Sequence, residues 1–230
     1  RPFCTNSSRK EENSGFSHTE RTKKMQNSRF LCTDPGNLFS QNFKNFTVFK
    51  FVFPSINQSW ELKKDQDSIK VYIRDVDDNT KEYLAETIIN SDIDNIFKTI
   101  TDFDNSYRWM YKLNSSKILE KSDTLMYVYF VVDMNWPLKN RDLISDAVIT
   151  QNENKIRIVM NSYPDYMPEK EKLIRIKQSR SIWNLEKIDD EYTKVALQSY
   201  AVVEGIPTFI MDLFILDSPM YSMTQLRNKF

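Results

Sequence analysis

One histidine and two cysteines set narrow limits on the chemistry of this chain, and His18, Cys4 and Cys32 all lie within its first 32 residues. The remainder cannot hold a histidine-based triad or a multi-histidine metal site. The two cysteines fit no zinc spacing, and a bridge between them would staple only a tail. Three glycines in the whole chain leave no GxGxxG or Walker loop. Acid–base work would fall to Asp, Glu, Tyr or Lys. Glu204, before Gly205, and Asp212, inside an apolar stretch, are the conceivable carboxylates. Each reads more readily as a solvated group, and no acidic pair stands out from spacing. Lys+Arg and Asp+Glu balance at 32 each, so no net charge draws the chain to nucleic acid. No cofactor or metal is expected. Aromatics at 13% and nine Met supply bulky, adaptable apolar volume, suited to a core or to a lined cavity.

The elements that would position such a cavity follow from periodicity. Residues 1–42 are polar, with little pattern, and read as a disordered extension. A chain opening at Arg1 is expected to be a fragment or a processed product. Residues 43–59 carry the aromatic run Phe43–Phe53, read either as a signal-peptide remnant or as a packing strand or helix; it is too short to span a bilayer. The folded domain is expected over 60–230. Ile69, Val71 and Ile73 alternate with polar neighbours, and Glu82–Asn90 completes a hairpin. Ser91 is expected to cap a helix, with Asp94 as a weak capping box and Ile93, Ile96, Phe97 and Ile100 as its buried face. A short helix follows over 103–111. Strands are expected at 115–121, 124–134, 144–151, 155–163, 172–187 and 191–204. Thr124–Met134 is apolar on both faces, as in a strand covered on both sides. In 172–187, Gln178, Arg180 and Asn184 share a parity with Ile174, Ile176 and Ile182, which puts polar groups at an open end or in a cavity.

Gly205-Ile206-Pro207 breaks the last strand and opens a helix. Phe209, Leu213, Leu216, Met220 and Met223 recur at helical spacing, and Ile210, Met211, Phe214 and Ile215 make other faces apolar as well. A helix apolar on most sides needs cover on most sides. Pro219 is expected to kink or interrupt it. The fold class is therefore α+β, a curved antiparallel sheet wrapped around a long C-terminal helix with a hydrophobic cavity between them.

Trp136-Pro137-Leu138-Lys139-Asn140-Arg141-Asp142 joins two strands. Pro137 cannot donate to a ladder. Trp136 offers an apolar anchor, and Arg141 beside Asp142 suggests fixed ion pairing. This Trp-Pro-x-x-x-Arg-Asp element resembles the signature of START domains, the lipid-transfer family related to the steroidogenic acute regulatory protein. Trp60-Glu61-Leu62, Ile69-Lys70-Val71-Tyr72, Trp109, Leu119-Glu120 and Gly205-Ile206-Pro207 agree in order, over about Trp60–Phe230, in a style closer to bacterial START-like proteins.

The resemblance implies a helix-grip fold holding one hydrophobic ligand in a tunnel, with the last helix and nearby loops as a lid. It implies a cavity role for Trp109 and scaffold roles for Trp136, Arg141 and Asp142; Pro137, Gly205 and Pro207 complete the structural motif. Phosphatidylcholine-binding relatives place an Arg three residues before that Trp and an Asp after it. Ser106 and Met110 stand there here, so that head-group specificity is not carried over. The expected cavity residues are Trp109, Met110, Met126, Tyr129, Phe209, Leu213 and Met220, with Arg157, Arg180 or Gln198 as the polar contact that orients the ligand. The expected partner is a lipid, sterol or other hydrophobic small molecule, bound or transferred without catalysis by a monomer that touches membranes transiently. The alternatives are a polyketide cyclase- or hydrolase-like helix-grip enzyme, and a module docking on a partner or membrane. The compartment stays open.

Overall fold

A computed structural model describes residues 59–206 and 208–230 of the chain. The expectations for the first 58 residues, for Pro207 and for the Phe209 side chain lie outside the described residues. Ten strands form one sheet in the order β1-β2-β3-β10-β9-β7-β6-β5-β4, with β8 off the path beside β6. In chain order, β1 (Glu61–Gln66), β2 (Ile69–Asp75) and β3 (Lys81–Asn90) precede helix α1 (Ile93–Thr101) and a 3-10 turn (Phe103–Arg108). Then come β4 (Leu113–Lys121), β5 (Leu125–Val132), β6 (Arg141–Gln151) and β7 (Lys155–Ser162). The two-residue β8 (Ile174–Arg175), β9 (Gln178–Lys187) and β10 (Tyr192–Val202) follow, and α2 (Thr208–Arg227) closes the chain.

β1 had no signal in the sequence. ELKKDQ is polar throughout and is almost wholly exposed, so no alternation marks it. A tight turn with Asp67 and Ser68 both at positive φ (52° and 60°) folds it onto β2 as an edge strand. The cap of α1 is Asp92 and not Ser91: the Asp92 carboxylate accepts from the Asn95 backbone N–H at 2.9 Å. Ile93, Ile96 and Ile100 are buried as the spacing requires.

Pairing registers show which side chains share a face. Val132, Phe130, Val128 and Met126 stand opposite Arg141, Leu143, Ser145 and Ala147. Across the next pairs the same inner face carries Met160 and Ile158, then Ser181 and Trp183, then Ser199 and Leu197, then Tyr83 and Ala85. α1 and the C-terminal half of α2 bury one end of this face, where Met220, Met223 and Leu226 join Ile96, Val128 and Leu185 in the core. β5 is covered on its outer face too, as its composition requires: Tyr127 packs against Tyr163 and Tyr166 at 5.4 and 4.7 Å.

Pro219 neither ends nor divides α2 in the secondary structure, which is helical from Thr208 to Arg227. Its buried face drifts along the axis, however. Met220, Met223 and Leu226 are buried in the second half, but Met211, Phe214, Ile215 and Ser218 turn inward in the first. At 3.6 residues per turn the two sets are offset by roughly a third of a turn.

Candidate functional site

Between the inner face and the N-terminal half of α2 lies a mainly apolar cavity of about 260 Å3, which Ile100 at the end of α1 also lines. Trp109 and Met110 line it at the end of the 3-10 turn, Leu113 and Phe130 on β4 and β5, Met160 and Trp183 on β7 and β9, and Met211 and Phe214 on α2. Aromatic edges lock the wall: Trp109 meets Trp183 at 6.1 Å, and Phe103 meets Phe130 at 6.1 Å. Tyr111 holds the helix over it, with its ring 5.7 Å from Phe214 and its backbone N–H donating to Ser222 Oγ at 3.1 Å. A larger surface hollow of about 680 Å3 beside β1 and β2 is lined mostly by charged residues, among which Lys63 pairs with Glu61 and Lys81 with Asp212. Its chemistry is that of a solvated rim.

The polar groups in the apolar cavity are few. Tyr83, Tyr111, Tyr200, Ser145, Ser181, Ser199 and Ser218 are the hydroxyl-bearing residues of the lining, and Ser181 Oγ and Ser199 Oγ lie 2.7 Å apart. Burial pushes the Tyr83 hydroxyl up to about 12, so it is a neutral donor at physiological pH. Two cations reach the wall. Lys81 is paired with Asp212 at 2.6 Å. Arg141 is only 2% exposed, and its guanidinium has no carboxylate partner among the described residues. Burial lowers its proton affinity, but an arginine stays charged. No carboxylate, histidine or cysteine among the described residues lines this cavity.

Several residues expected at the cavity are elsewhere, for physical reasons. Tyr129 has the opposite parity to Phe130; it lies on the outer face, donating to Asp142 Oδ2 at 3.1 Å beneath the Lys170 ammonium. Met126 has the inward parity but is buried in the closed end of the core. Arg157 pairs across from Thr150 and Asn184 and is exposed on the outer face. Arg180 and Gln198 are outward as well. The error at Arg180 is one of register: Ile174 belongs to β8, and the break at 176–177 reverses parity before β9, so Ser181 and Trp183 point inward. Gln198 donates to Glu82 Oε1 at 2.7 Å, in a network with Arg74 stacked over Trp60. Leu213 is 60% exposed, and Met220 is packed in the core. Glu204 is exposed, and Asp212 is half-exposed beside Lys81.

The strand crossover also differs from expectation. Trp136 is 93% exposed and anchors nothing among the described residues. Asn140 orders the crossover instead: its Oδ1 accepts from the Met134 N–H at 2.9 Å, and its Nδ2 donates to Asp133 at 2.7 Å. Pro137 sits in the exposed turn, after a cis peptide bond. Arg141 and Asp142 do not pair with each other, because neighbours on a strand point to opposite faces. Asp142 goes outward to a bidentate bond with Arg175, at 2.9 Å for both contacts. Hydrogen bonding to Asp142 holds the Arg175 guanidinium above its ordinary range. Arg175 in turn donates to the carbonyls of Pro164, Met167 and Pro168 and pins that segment over β5. Gly205 is left-handed at φ +72°, the turn before α2 that a glycine accommodates.

No family model matches the chain. The uncharacterised protein PA1579 of Pseudomonas aeruginosa is 27% identical over 184 residues, 79% of this chain and 91% of that one. Among solved structures, the STAR-related lipid transfer protein of Xanthomonas axonopodis (fragment 25–204) aligns with a TM-score of 0.69 and 27% identity, covering 74% of this chain and 97% of that one. Human STARD10 aligns at 0.65 with 15% identity, covering 74% and 71%. The Zhui aromatase/cyclase of a Streptomyces species aligns at 0.51 with 10% identity, covering 65% and 93%. The last two likenesses are of fold alone.

Proposed function

We propose that this START-like helix-grip domain binds one hydrophobic small molecule, a lipid or sterol, between its sheet and its last helix, and that it does so without catalysis. The observation that carries the reading is the cavity itself: an apolar space walled by aromatic and Met side chains under a helix that is apolar round most of its circumference. The driving force is apolar area removed from water. Burying ~300 Å2 of ligand at ~25 cal/mol per Å2 contributes about 7–8 kcal/mol before ordering costs. The cyclase likeness raises an enzymatic alternative, but a tuned general base would need a titratable group on the wall. The described lining offers three tyrosines, a lysine already paired with Asp212, and an arginine, with no carboxylate, histidine or cysteine among them.

Transfer between membranes is part of the proposal. No helix among the described residues is long and apolar enough to cross a membrane. Trp136, exposed two residues from the cavity-lining Met134, presents an indole of the kind that sits at lipid head groups. Trp136→Ala is expected to slow delivery of a fluorescent lipid to vesicles several-fold while equilibrium uptake is unchanged; equal delivery rates would remove Trp136 from the route. The binding reading is tested by native mass spectrometry of the full chain, followed by organic extraction. A hydrophobic molecule bound one to one, co-purified or loaded, is the expected result. A protein that is empty and takes up neither fluorescent lipid nor sterol would overturn it.

A further inference from the structure

Arg141 lies on the inner face at the first position of β6, where the apolar cavity meets the turn before α2. Its guanidinium has five N–H donors. Nη1 donates to the Lys139 carbonyl and Nη2 to the Glu204 carbonyl at 3.2 Å. Nε is fully buried and has no partner among the described residues. Two carbonyls orient the group without neutralising it. A buried cation with no counter-charge and one donor left unpaired is costly to maintain in an empty protein. The neighbouring strand position shows how this fold completes a buried charge when the role is structural: Asp142 has Arg175 on both oxygens and Tyr129 besides.

Resting on the ligand-binding reading above, we propose that Arg141 is the head-group contact of the cavity, and that the ligand is an amphiphile with one short apolar chain or compact ring body and an anionic oxygen head group, a carboxylate or a phosphate monoester. The Nε edge, Nε–H with the neighbouring Nη2 hydrogen, offers the side-on geometry that carboxylate and phosphate oxygens accept in pairs. The serine and Tyr83 hydroxyls of the wall are neutral and can follow either donor or acceptor; Arg141 alone demands negative charge. About 260 Å3 is at the small end for a ligand site, commonly about 300–1,000 Å3, which favours one chain over two.

The test uses the full chain, stripped of co-purifying molecules, and four probes of equal chain length: dodecanoate, dodecyl phosphate, dodecanol and methyl dodecanoate. Affinities are measured by calorimetry. An anionic probe is expected to bind at least about tenfold more tightly than the alcohol and the ester, and whichever anion is tighter identifies the head-group source. Equal binding of all four overturns the Arg141 assignment and leaves the cavity reading standing; binding of none overturns both. In Arg141→Gln the anion preference is expected to fall to within about twofold, and an unchanged preference overturns the assignment. Should that variant fail to fold, the wild-type Arg141 Nε–H resonance serves: a downfield shift with dodecanoate and not with dodecanol supports the contact, and no difference overturns it.

Discussion

Arg141 and Asp142 are adjacent in sequence and both nearly inaccessible, yet their surroundings are opposites. On the outer face Asp142 is saturated by Arg175 and Tyr129, and the cluster fastens the 164–168 segment to the sheet. On the inner face Arg141 has two backbone acceptors and an orphaned Nε beside an apolar space. A charge that folding has fully paired belongs to the scaffold. Arg180 on the outer face also has a buried Nε without a partner; it is the position of Arg141 on the wall of an apolar space that makes it the place we propose for the head group.

The largest effect that sharpens this contrast is on stability. Asp142→Ala strands a buried Arg175 cation and is expected to cost about 3–5 kcal/mol in urea unfolding. Arg141→Gln removes two hydrogen bonds but strands no opposite charge, so about 1–2 kcal/mol is expected. Equal losses would erase the distinction. Next is occupancy of the cavity: Met110→Trp is expected to lower uptake of a fluorescent lipid by about tenfold or more without unfolding the protein. Leu213→Trp, on the exposed side of α2, is expected to leave uptake within about twofold. Matching losses in both would move the cavity.

A smaller effect concerns the neutral side of the inner face. The Tyr83 hydroxyl is raised from 10.0 to about 12 by burial, so the folded state holds its proton more tightly than the unfolded chain does. The stability that depends on this is full below about pH 10 and is lost as the pH rises toward about 12. Tyr83→Phe is expected to flatten the fall in unfolding free energy between pH 9.5 and 11.5; an unchanged slope would place the hydroxyl in contact with water. The smallest effect is at the rim, where Lys81 and Asp212 are both partly exposed. Asp212→Asn is expected to change stability by less than about 1 kcal/mol and uptake not at all.

Much of the architecture was legible from period and punctuation. The α+β class, the antiparallel sheet and the long last helix follow from alternation on β2, β6 and β7, from the isoleucine spacing of α1, and from Gly205 before an apolar helix. The site was legible only where residues lie close to their element's own signal: Trp109 and Met110 line the cavity, and Tyr129, Arg157, Arg180, Gln198 and Leu213 do not. In a strand one residue decides the face, and the irregular backbone between β8 and β9 slips the alternation by one, which was enough to invert the reading of β9. On α2 a drift of the buried face had the same effect on Leu213.

The sequence by itself determined the chemistry available to this protein: no histidine or cysteine beyond residue 32, no glycine-rich loop, no net charge, and abundant Met and aromatic volume. Those are properties of residue types, and no fold can alter them. Only the tertiary structure decided which charges are paired, because pairing depends on register between strands distant in sequence. Arg175 reaches Asp142 across 33 residues and Glu204 reaches Arg141 across 63, and that leaves Nε of the cavity-lining Arg141 buried without a partner.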